Sequence, residues 1–256
     1  MTDQSTPHVL PGCEPVSHIA ASTTGVLVLH GFTGTPASVR GISDAMISSG
    51  YHVELPRLPG HGTTIDDLLT TGWADWAAEV ERSYLALARR ADQVVVVGQS
   101  MGATLALWTA LARSEVAGLI CINPATRSRT AEELEMIDDF IEDGILVVPG
   151  EGSDIADPDA ADITYDGTPL APLRSLLRDG VANITDRFGE LTMPLRLFTS
   201  RNDHVVEPAD SEHLAATYGG PVEHSWLERS YHVATRDFER DFVFGESVAF
   251  VRRVAG

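Results

Sequence analysis

The chain has 256 residues, 43% of them hydrophobic, so it can bury one substantial core, and we expect a single globular domain that carries an insertion. Its 37 acidic and 18 basic residues give a formal net charge of −19, which repels phosphate backbones and anionic lipid headgroups. Nucleic acid is therefore not expected as a partner, and the charge indicates a well-solvated surface rather than a role in choosing a substrate.

The chain start and the two cysteines predict the compartment. Residues 1–5 carry no basic and apolar signal segment, and no stretch of the chain approaches membrane-spanning length. Cys13 lies in a segment rich in Pro and Gly, whereas Cys121 lies in an apolar run and is expected to be a small buried hydrophobe, so no disulfide is predicted. We expect a cytoplasmic protein without stable membrane insertion, either a monomer or a homodimer.

Short apolar runs alternate with longer segments of helical periodicity along most of the chain. The four valines at residues 94–97 are apolar on both faces, as expected for a strand that helices cover on both sides. The alternation predicts an α/β fold, doubly wound around a mostly parallel sheet. The predicted strands are residues 25–29, 51–55, 93–97, 118–122, 194–199 and 222–227. The predicted helices are residues 36–49, 73–90, 101–112, 207–218 and 238–254, with Trp73 and Trp76 in the core.

Residues 127–186 interrupt the alternation, because no strand is predicted there. Helical patterns at residues 131–141 and 171–177 flank an acidic stretch, residues 151–167, and a structureless loop of this length would be unusual in a compact domain. We expect a small helical cap over the carboxyl ends of the strands, inserted between core segments 1–126 and 187–256. The aspartates of this segment lack the spacing of a calcium-binding loop, so a solvated acidic loop is predicted rather than a metal site. They are Asp154, Asp157, Asp159, Asp162 and Asp166.

Residues 98–102 read Gly-Gln-Ser-Met-Gly and lie between the valine run and a predicted helix. The pattern G-x-S-x-G alone is weak, but a strand before it and a helix after it are the context of a nucleophile elbow. In that turn the serine hydroxyl is lifted above the sheet, and the glycines allow the backbones to approach closely. Ser100 is therefore the predicted catalytic nucleophile.

A serine hydroxyl needs a base to take its proton and a carboxylate to orient that base. His232 is the one histidine between the last predicted strand and the last predicted helix, so it is the predicted base. Asp203 follows the strand at residues 194–199 and is the predicted acid, which gives the chain order Ser, acid, His. His204 is the alternative base and Glu207 the alternative acid, although Glu207 also fits the start of a helix.

Other histidines fit structural roles better. His224 lies in a predicted strand and His213 in a predicted helix, whereas His8 and His18 precede the predicted sheet. His61 lies in a Pro- and Gly-rich stretch that reads as a rigid turn, and no catalytic role is predicted for it.

The oxyanion of acyl transfer needs two fixed hydrogen-bond donors. The backbone N–H of Met101, the residue after the nucleophile, is one predicted donor, and the N–H of Phe32, in the loop after the first long apolar run, is the other. Gly31 permits close approach there, and His30 is expected to be a structural hydrogen-bonding residue. The predicted substrate-binding residues are Gly31, Phe32, Met101 and Val205.

The elbow, the His30-Gly31-Phe32 loop, the sequence Pro59-Gly60-His61-Gly62, Asp203 and His232 occur in this order. With them the chain resembles the serine α/β-hydrolases, and among these it looks most like bacterial carboxylesterases and monoacylglycerol lipases. The resemblance implies an eight-stranded, mostly parallel sheet with a cap inserted before the acid-bearing strand. It also implies hydrolysis of a small-molecule ester through an acyl-enzyme, without a cofactor.

Three functions share the expected fold. We favour a serine carboxylic ester hydrolase that acts on short to medium acyl esters. An acyltransferase, a perhydrolase or a carbon–carbon bond hydrolase would use the same three residues, and a non-catalytic binding scaffold would need none of them. Ser100 at the nucleophile position disfavours related dehalogenases and epoxide hydrolases, which carry Asp there.

Overall fold

The computed structural model describes residues 7–150 and 152–255. The chain start from which targeting was predicted, residues 1–5, and Glu151 of the acidic stretch lie outside the described residues. The strands are β1 (Val16–His18), β2 (Thr24–Leu29), β3 (His52–Leu55), β4 (Gln93–Gln99), β5 (Gly118–Ile122), β6 (Val147–Pro149), β7 (Gly167–Pro169), β8 (Leu195–Ser200) and β9 (Val222–Leu227). The α-helices are α1 (Arg40–Ser48), α2 (Ile65–Leu68), α3 (Trp73–Ala88), α4 (Met101–Ala112), α5 (Ala131–Glu142), α6 (Leu170–Ser175), α7 (Ala182–Ile184), α8 (Pro208–Thr217) and α9 (Arg240–Ala255).

Seven of the strands form one sheet in the order β1-β3-β2-β4-β5-β8-β9. The pairing is parallel throughout except for β1, which runs antiparallel to β3. Every residue of β2, β5 and β8 is buried, as expected for strands covered on both faces. The six strands predicted from apolar runs are confirmed, with ends that differ by at most two residues.

Helices cover both faces of the sheet, so the doubly wound α/β prediction is confirmed. The side chains of β4 alternate between two cores: Val94 and Val96 pack with α3, α4 and α8, whereas Val95 and Val97 pack with α1 and α9. The first core holds Trp73 and Trp76, as predicted, with 6% and 0% of their surface exposed. Helix α4 is buried along nearly its whole length, which anchors the chain immediately after residue 100.

The strand count differs from the eight strands implied by the resemblance, because the described residues contribute seven to the sheet. Ahead of β2 the described chain adds only β1, where Val16 pairs with Leu55. Pro11 and Pro15 lack the N–H that a longer paired strand would need. The prediction that His18 precedes the sheet was also wrong, since this residue ends β1; a three-residue strand is too short to show a periodic pattern.

Residues 127–186, here called the covering segment, contain α5, α6 and α7 and a π-helical turn at Leu176–Val181. The predicted helices are therefore confirmed, but the prediction of no strand was wrong, because β6 and β7 form a two-stranded antiparallel hairpin. Each of these strands has three residues, and β7 ends in Pro169, so neither shows a strand pattern in the sequence. Within the described residues, no helix combines the length and hydropathy required to span a bilayer.

Candidate active site

A cavity of ≈ 380 Å³ lies between the carboxyl ends of the sheet strands and the covering segment. Its walls come from the loops after β2, β4, β8 and β9 on one side and from α5, the β6–β7 region and α6 on the other. The sheet side contributes, among others, Gly31, Phe32, Ser100, Val205 and His232. The covering segment contributes, among others, Arg129, Ile137, Asp154, Asp162, Leu173 and Leu177.

Ser100 stands at the junction of β4 and α4 with φ +56° and ψ −123°. A non-glycine residue in this left-handed region is strained, and tight packing of the surrounding backbone holds it there. A Cβ on Gly98 would lie 2.1 Å from the carbonyl oxygen of Gly102, and a Cβ on Gly102 would lie 2.2 Å from that of Leu29. The elbow geometry predicted from the sequence is present, and both glycines are sterically required.

The predicted base and acid are in direct contact. The Nδ1 atom of His232 lies 2.8 Å from Oδ2 of Asp203, and the two side chains are 9% and 2% exposed. The other carboxylate oxygen of Asp203 accepts the backbone N–H groups of Val205 and Val206 at 2.9 and 2.8 Å. Because a carboxylate only accepts hydrogen bonds, Nδ1 carries a proton, and in the neutral ring Nε2 therefore has the lone pair that a base needs.

The alternative residues have other partners. Nδ1 of His204 lies 2.8 Å from a carboxylate oxygen of Asp154, and the exposed carboxylate of Glu207 pairs with Arg127 at 3.2 Å. His224 hydrogen-bonds to Thr199 in the sheet, consistent with the structural role predicted for it.

Asn123 is a polar residue at the site for which no role was predicted. It follows β5 directly, has φ +45°, and is 2% exposed. Its side-chain amide donates to the carbonyl of His232 at 2.8 Å, and its Oδ1 accepts the N–H of Ser200 at 2.7 Å. An asparagine immediately after a buried strand, at the edge where the other site residues lie, is the signal that could have indicated it.

The loop after β2 places the N–H of Phe32 at the cavity. A Cβ on Gly31 would lie 3.2 Å from the Cβ of Ser100, so this loop passes directly over the nucleophile position. Within the described residues, the N–H groups of Phe32 and Met101 make no hydrogen bond to another protein group, so both remain available to a ligand. The Met101 N–H also begins helix α4, where the helix dipole favours negative charge.

His30 fixes the direction of the Phe32 N–H, which gives physical content to the structural role predicted for it. The His30 Nε2 accepts the Leu58 N–H at 3.1 Å, so the ring proton is on Nδ1, which donates to the Gly31 carbonyl at 3.0 Å. That carbonyl and the Phe32 N–H belong to one trans peptide and point in opposite directions. Burial, and to a smaller extent His61, holds the pKa of His30 well below its ordinary value, so the ring stays neutral.

His61 packs beside this loop in a fully buried aromatic cluster. Its ring centroid lies 5.0 Å from that of His30 and 5.6 Å from that of Trp76. Its Nδ1 lies 3.0 Å from the Pro59 carbonyl, and burial lowers the pKa of His61 to about 4. The rigid-turn prediction agrees with the positive φ angles of Gly60 and Gly62.

Of the four predicted substrate-binding residues, Gly31, Phe32 and Val205 line the cavity. The side chain of Met101 is fully buried and packs in the core behind the elbow, so it does not form a cavity wall. The reason is geometric: Met101, the residue after Ser100, begins α4 and turns its side chain into the sheet–helix core.

One solvated acidic loop was predicted for the aspartates of the covering segment, and this prediction was wrong. Asp154 and Asp162 both line the cavity, and the side chain of Asp154 is only 11% exposed. Burial raises the pKa of Asp162, whose Oδ2 accepts the Ser38 hydroxyl at 2.6 Å. Sequence patterning cannot separate these two from Asp157 and Asp159, because loop residues carry no periodic signal for burial. Within residues 7–150 and 152–255, no group of three or more His, Cys, Asp or Glu side chains is placed to hold a metal ion.

A parallel sheet with a strained serine turn, and a histidine–aspartate pair on later loops, define the class of α/β hydrolases. The model of the alpha/beta hydrolase family matches residues 26–247, and the chain belongs to this family.

Similarity to individual relatives indicates which type of hydrolase the protein is. The chain is 35% identical to the thermostable monoacylglycerol lipase of Bacillus sp. (strain H-257), across 97% of this chain and 98% of that one. It is 25% identical to a carboxylesterase of Bacillus subtilis (strain 168), across 90% and 92% of the two chains. A solved structure from work on the metagenome-derived lipolytic enzymes LipS and LipT is 36% identical, has a TM-score of 0.89, and aligns over 96% of this chain and 100% of its own. The protein is thus an enzyme of the esterase and lipase type.

Proposed function

We propose that the protein is a serine carboxylic ester hydrolase in which Ser100, His232 and Asp203 form the catalytic triad. The observation that carries this proposal is the 2.8 Å contact between His232 Nδ1 and Asp203 Oδ2 in a cavity that also exposes Ser100 on its strained turn. Nucleophile, base and orienting carboxylate are what acyl transfer from an ester requires.

In the proposed mechanism Ser100 Oγ attacks the ester carbonyl carbon while His232 Nε2 takes its proton. The tetrahedral oxyanion is held by the N–H groups of Phe32 and Met101. His232 then returns the proton to the departing alkoxide, so the alcohol leaves and an acyl-enzyme remains. Water, activated by the same ring, attacks the acyl-enzyme, and the acid is released as Ser100 recovers its proton. Asp203 holds the ring and stabilises its positive charge.

We further propose that residues 127–186 act as a cap and that the substrate is a monoacylglycerol with a short to medium acyl chain. The cavity of ≈ 380 Å³ is at the lower end of the range for small-molecule sites, and Ile137, Leu173 and Leu177 give it apolar walls. Asp162 adds a buried carboxylate that can accept hydrogen bonds from hydroxyl groups of the alcohol portion. The similarity to a monoacylglycerol lipase supports the same substrate class.

The test of the triad is Ser100→Ala, assayed on 1-monoacylglycerols of graded chain length. We expect kcat to fall by a factor on the order of 10⁶ and covalent labelling by an organophosphonate to disappear. Ser43→Ala is the matched control, because Ser43 is buried in α1 and its hydroxyl has no hydrogen-bond partner among the described residues. Turnover or labelling that survives Ser100→Ala would refute the assignment. Preferential transfer of the acyl group to an added alcohol would identify a transferase instead.

A further inference from the structure

The side chain of Asp154, on the covering segment, reaches the two loops that carry the proposed base and acid. Its Oδ2 accepts the backbone N–H of His232 at 3.0 Å and the backbone N–H of His204 at 3.1 Å. Its Oδ1 lies 2.8 Å from the ring Nδ1 of His204. One carboxylate therefore binds two loops that leave the sheet from different strands, β8 and β9.

The two backbone N–H groups that Asp154 Oδ2 binds, those of His204 and His232, lie on either side of the contact between Asp203 and His232. His204 directly follows Asp203, so an oxygen that binds both the His204 N–H and the His232 N–H restrains both ends of the acid–base pair. The backbone of His232 is then held on both sides, because its carbonyl accepts the amide of Asn123 at 2.8 Å. Asn123 fixes the base from the sheet, whereas Asp154 fixes it from the covering segment.

The neighbouring N–H groups of the base loop also donate to carboxylates. Glu239 accepts the N–H groups of Glu228, Arg229 and Ser230, and Asp237 accepts that of Tyr231. Glu239 and Asp237 lie close to this loop in the chain. Among the described residues, Asp154 is the carboxylate of the covering segment that joins this series, and it binds the loop at the base itself.

The contact is well defined rather than a loose surface approach. The Asp154 side chain is 11% exposed, and its own carbonyl accepts the N–H of Val233 at 3.0 Å. Two further hydrogen bonds, from the backbone N–H groups of Ala156 and Asp157 to the side-chain carboxylate of Asp237, dock the same stretch against the base loop. A largely buried carboxylate with hydrogen-bond partners on both oxygens holds a fixed position.

We propose that Asp154 is a positioning residue that keeps His232 and Asp203 in register, so that the triad is competent only when residues 152–157 of the covering segment are docked. This inference rests on the proposed triad. Under this inference the covering segment takes part in catalysis as well as shaping the cavity. It acts through the backbone of the base loop rather than through contact with the substrate.

The test compares Asp154→Ala with Asp154→Asn. Alanine removes both acceptors, and we expect kcat to fall by about 10²-fold while KM changes by less than about threefold, because misplacing a catalytic group by about 1 Å has an effect of this size. The asparagine carbonyl can still accept both N–H groups, so Asp154→Asn should keep kcat within about fivefold of the native protein. Asp159→Asn is the matched control, because Asp159 is an exposed aspartate of the same loop that lies outside the docked stretch.

A second readout follows the His232–Asp203 hydrogen bond directly. We expect the downfield proton resonance of His232 Nδ1–H in the native protein and in Asp154→Asn, and its loss by exchange in Asp154→Ala at a temperature where that variant is fully folded. Undiminished kcat in Asp154→Ala, or a retained resonance, overturns the positioning role. A loss of kcat that matches only a lower folded fraction also overturns it. Turnover by Ser100→Ala would instead overturn the proposed function, so the two failures are distinguishable.

Discussion

The carboxyl edge of the sheet and the covering segment enclose the same cavity, yet different physical constraints determine their structures. At the sheet edge, Gly98 and Gly102 lie where a Cβ would overlap neighbouring backbone, and α4 is buried along nearly its whole length. In the covering segment, α5 has no buried residue, and Met136 is 57% exposed. The first region leaves the backbone around Ser100 little room to move, whereas the outer part of the second tolerates change.

The two regions also differ in the polar groups that they bury. The sheet side buries neutral rings, since His30 and His61 both have strongly lowered pKa values. The covering segment turns carboxylates inward, at Asp154 and Asp162. Under the proposed function, the groups of acyl transfer lie on the rigid side, whereas the covering segment supplies Asp162 for contact with the substrate and Asp154 for positioning His232.

The largest expected effect is on the rigid side, at Gly102. In Gly102→Ala the new Cβ would lie 2.2 Å from the Leu29 carbonyl oxygen and 2.7 Å from that of His30, so α4 and β2 must separate. We expect the free energy of unfolding to fall by about 3 kcal/mol or more, measured by urea denaturation. Gly245→Ala is the control, because an exposed helical glycine with nothing near its Cβ position should be stabilised by up to about 1 kcal/mol. Equal stability of the two variants would show that the elbow is not sterically constrained.

The next effect concerns acid stability and His61. Burial lowers the pKa of His61 to about 4 in the folded protein, whereas an unfolded histidine titrates near about 6.5. Between these pH values the unfolded chain binds more protons than the folded protein does. The free energy of unfolding therefore rises with pH, and it decreases as the pH falls from about 6.5 towards about 4. Over this pH range the titration of His61 lowers the free energy of unfolding by an amount on the order of 3 kcal/mol.

The measurement is the difference in unfolding free energy between about pH 7 and about pH 4, in the native protein and in His61→Gln. The variant cannot titrate at this position, so its stability should decline less steeply. Groups that do not interact with His61 cancel in the comparison. His30 does not cancel, because His61 helps to lower its pKa, but losing that interaction also makes the decline less steep. Identical pH dependence in the two proteins would mean that folding does not lower the pKa of His61.

The sequence was sufficient for the parts of the fold that depend on periodicity and for the residues that follow strands. The runs at 118–122 and 222–227 match β5 and β9 to the residue. Strand β5 is fully buried and leaves a clear apolar signal, whereas β9 ends the sheet and is fully buried only at Leu227. The proximity of His232 and Asp203 was predicted from chain order, since the ends of parallel strands meet at one edge of the sheet.

Features set by tertiary contacts could not be predicted in this way. Strand β1 and both strands of the β6–β7 hairpin have three residues each, too few for alternation to appear. The inward direction of Asp154 and Asp162 depends on how residues 152–167 cross the cavity, and an acidic loop has the same composition whether it faces solvent or a site. Met101 was misplaced for a related reason: a position in the chain does not give the direction of a side chain at a helix start.

The smallest expected effect is on the covering side and concerns substrate choice through Asp162. This carboxylate lines the cavity and is largely buried, which raises its pKa, and Ser38 supplies one hydrogen bond to it. If its remaining acceptor capacity binds a hydroxyl of the alcohol portion, Asp162→Leu should lower kcat/KM for a 1-monoacylglycerol by about tenfold relative to the methyl ester of the same acid, which corresponds to about 1.4 kcal/mol. The methyl ester has no hydroxyl in its alcohol portion, so its own kcat/KM should stay within about twofold of the native value.

Asp159→Leu provides the comparison within the same loop, because Asp159 is exposed and does not line the cavity. The raised pKa also predicts how the stability of Asp162→Leu changes with pH. A carboxyl whose pKa is raised by folding weakens the folded state as the pH rises through its unfolded value, so the variant should gain free energy of unfolding relative to the native protein as the pH rises from about 4 to about 7. A variant that becomes less stable, with both esters affected alike, would place Asp162 among the residues that hold the covering segment in place. If the ratio of kcat/KM for the two esters is unchanged in a variant that gains stability, substrate selection would be assigned to the apolar walls of the cavity only.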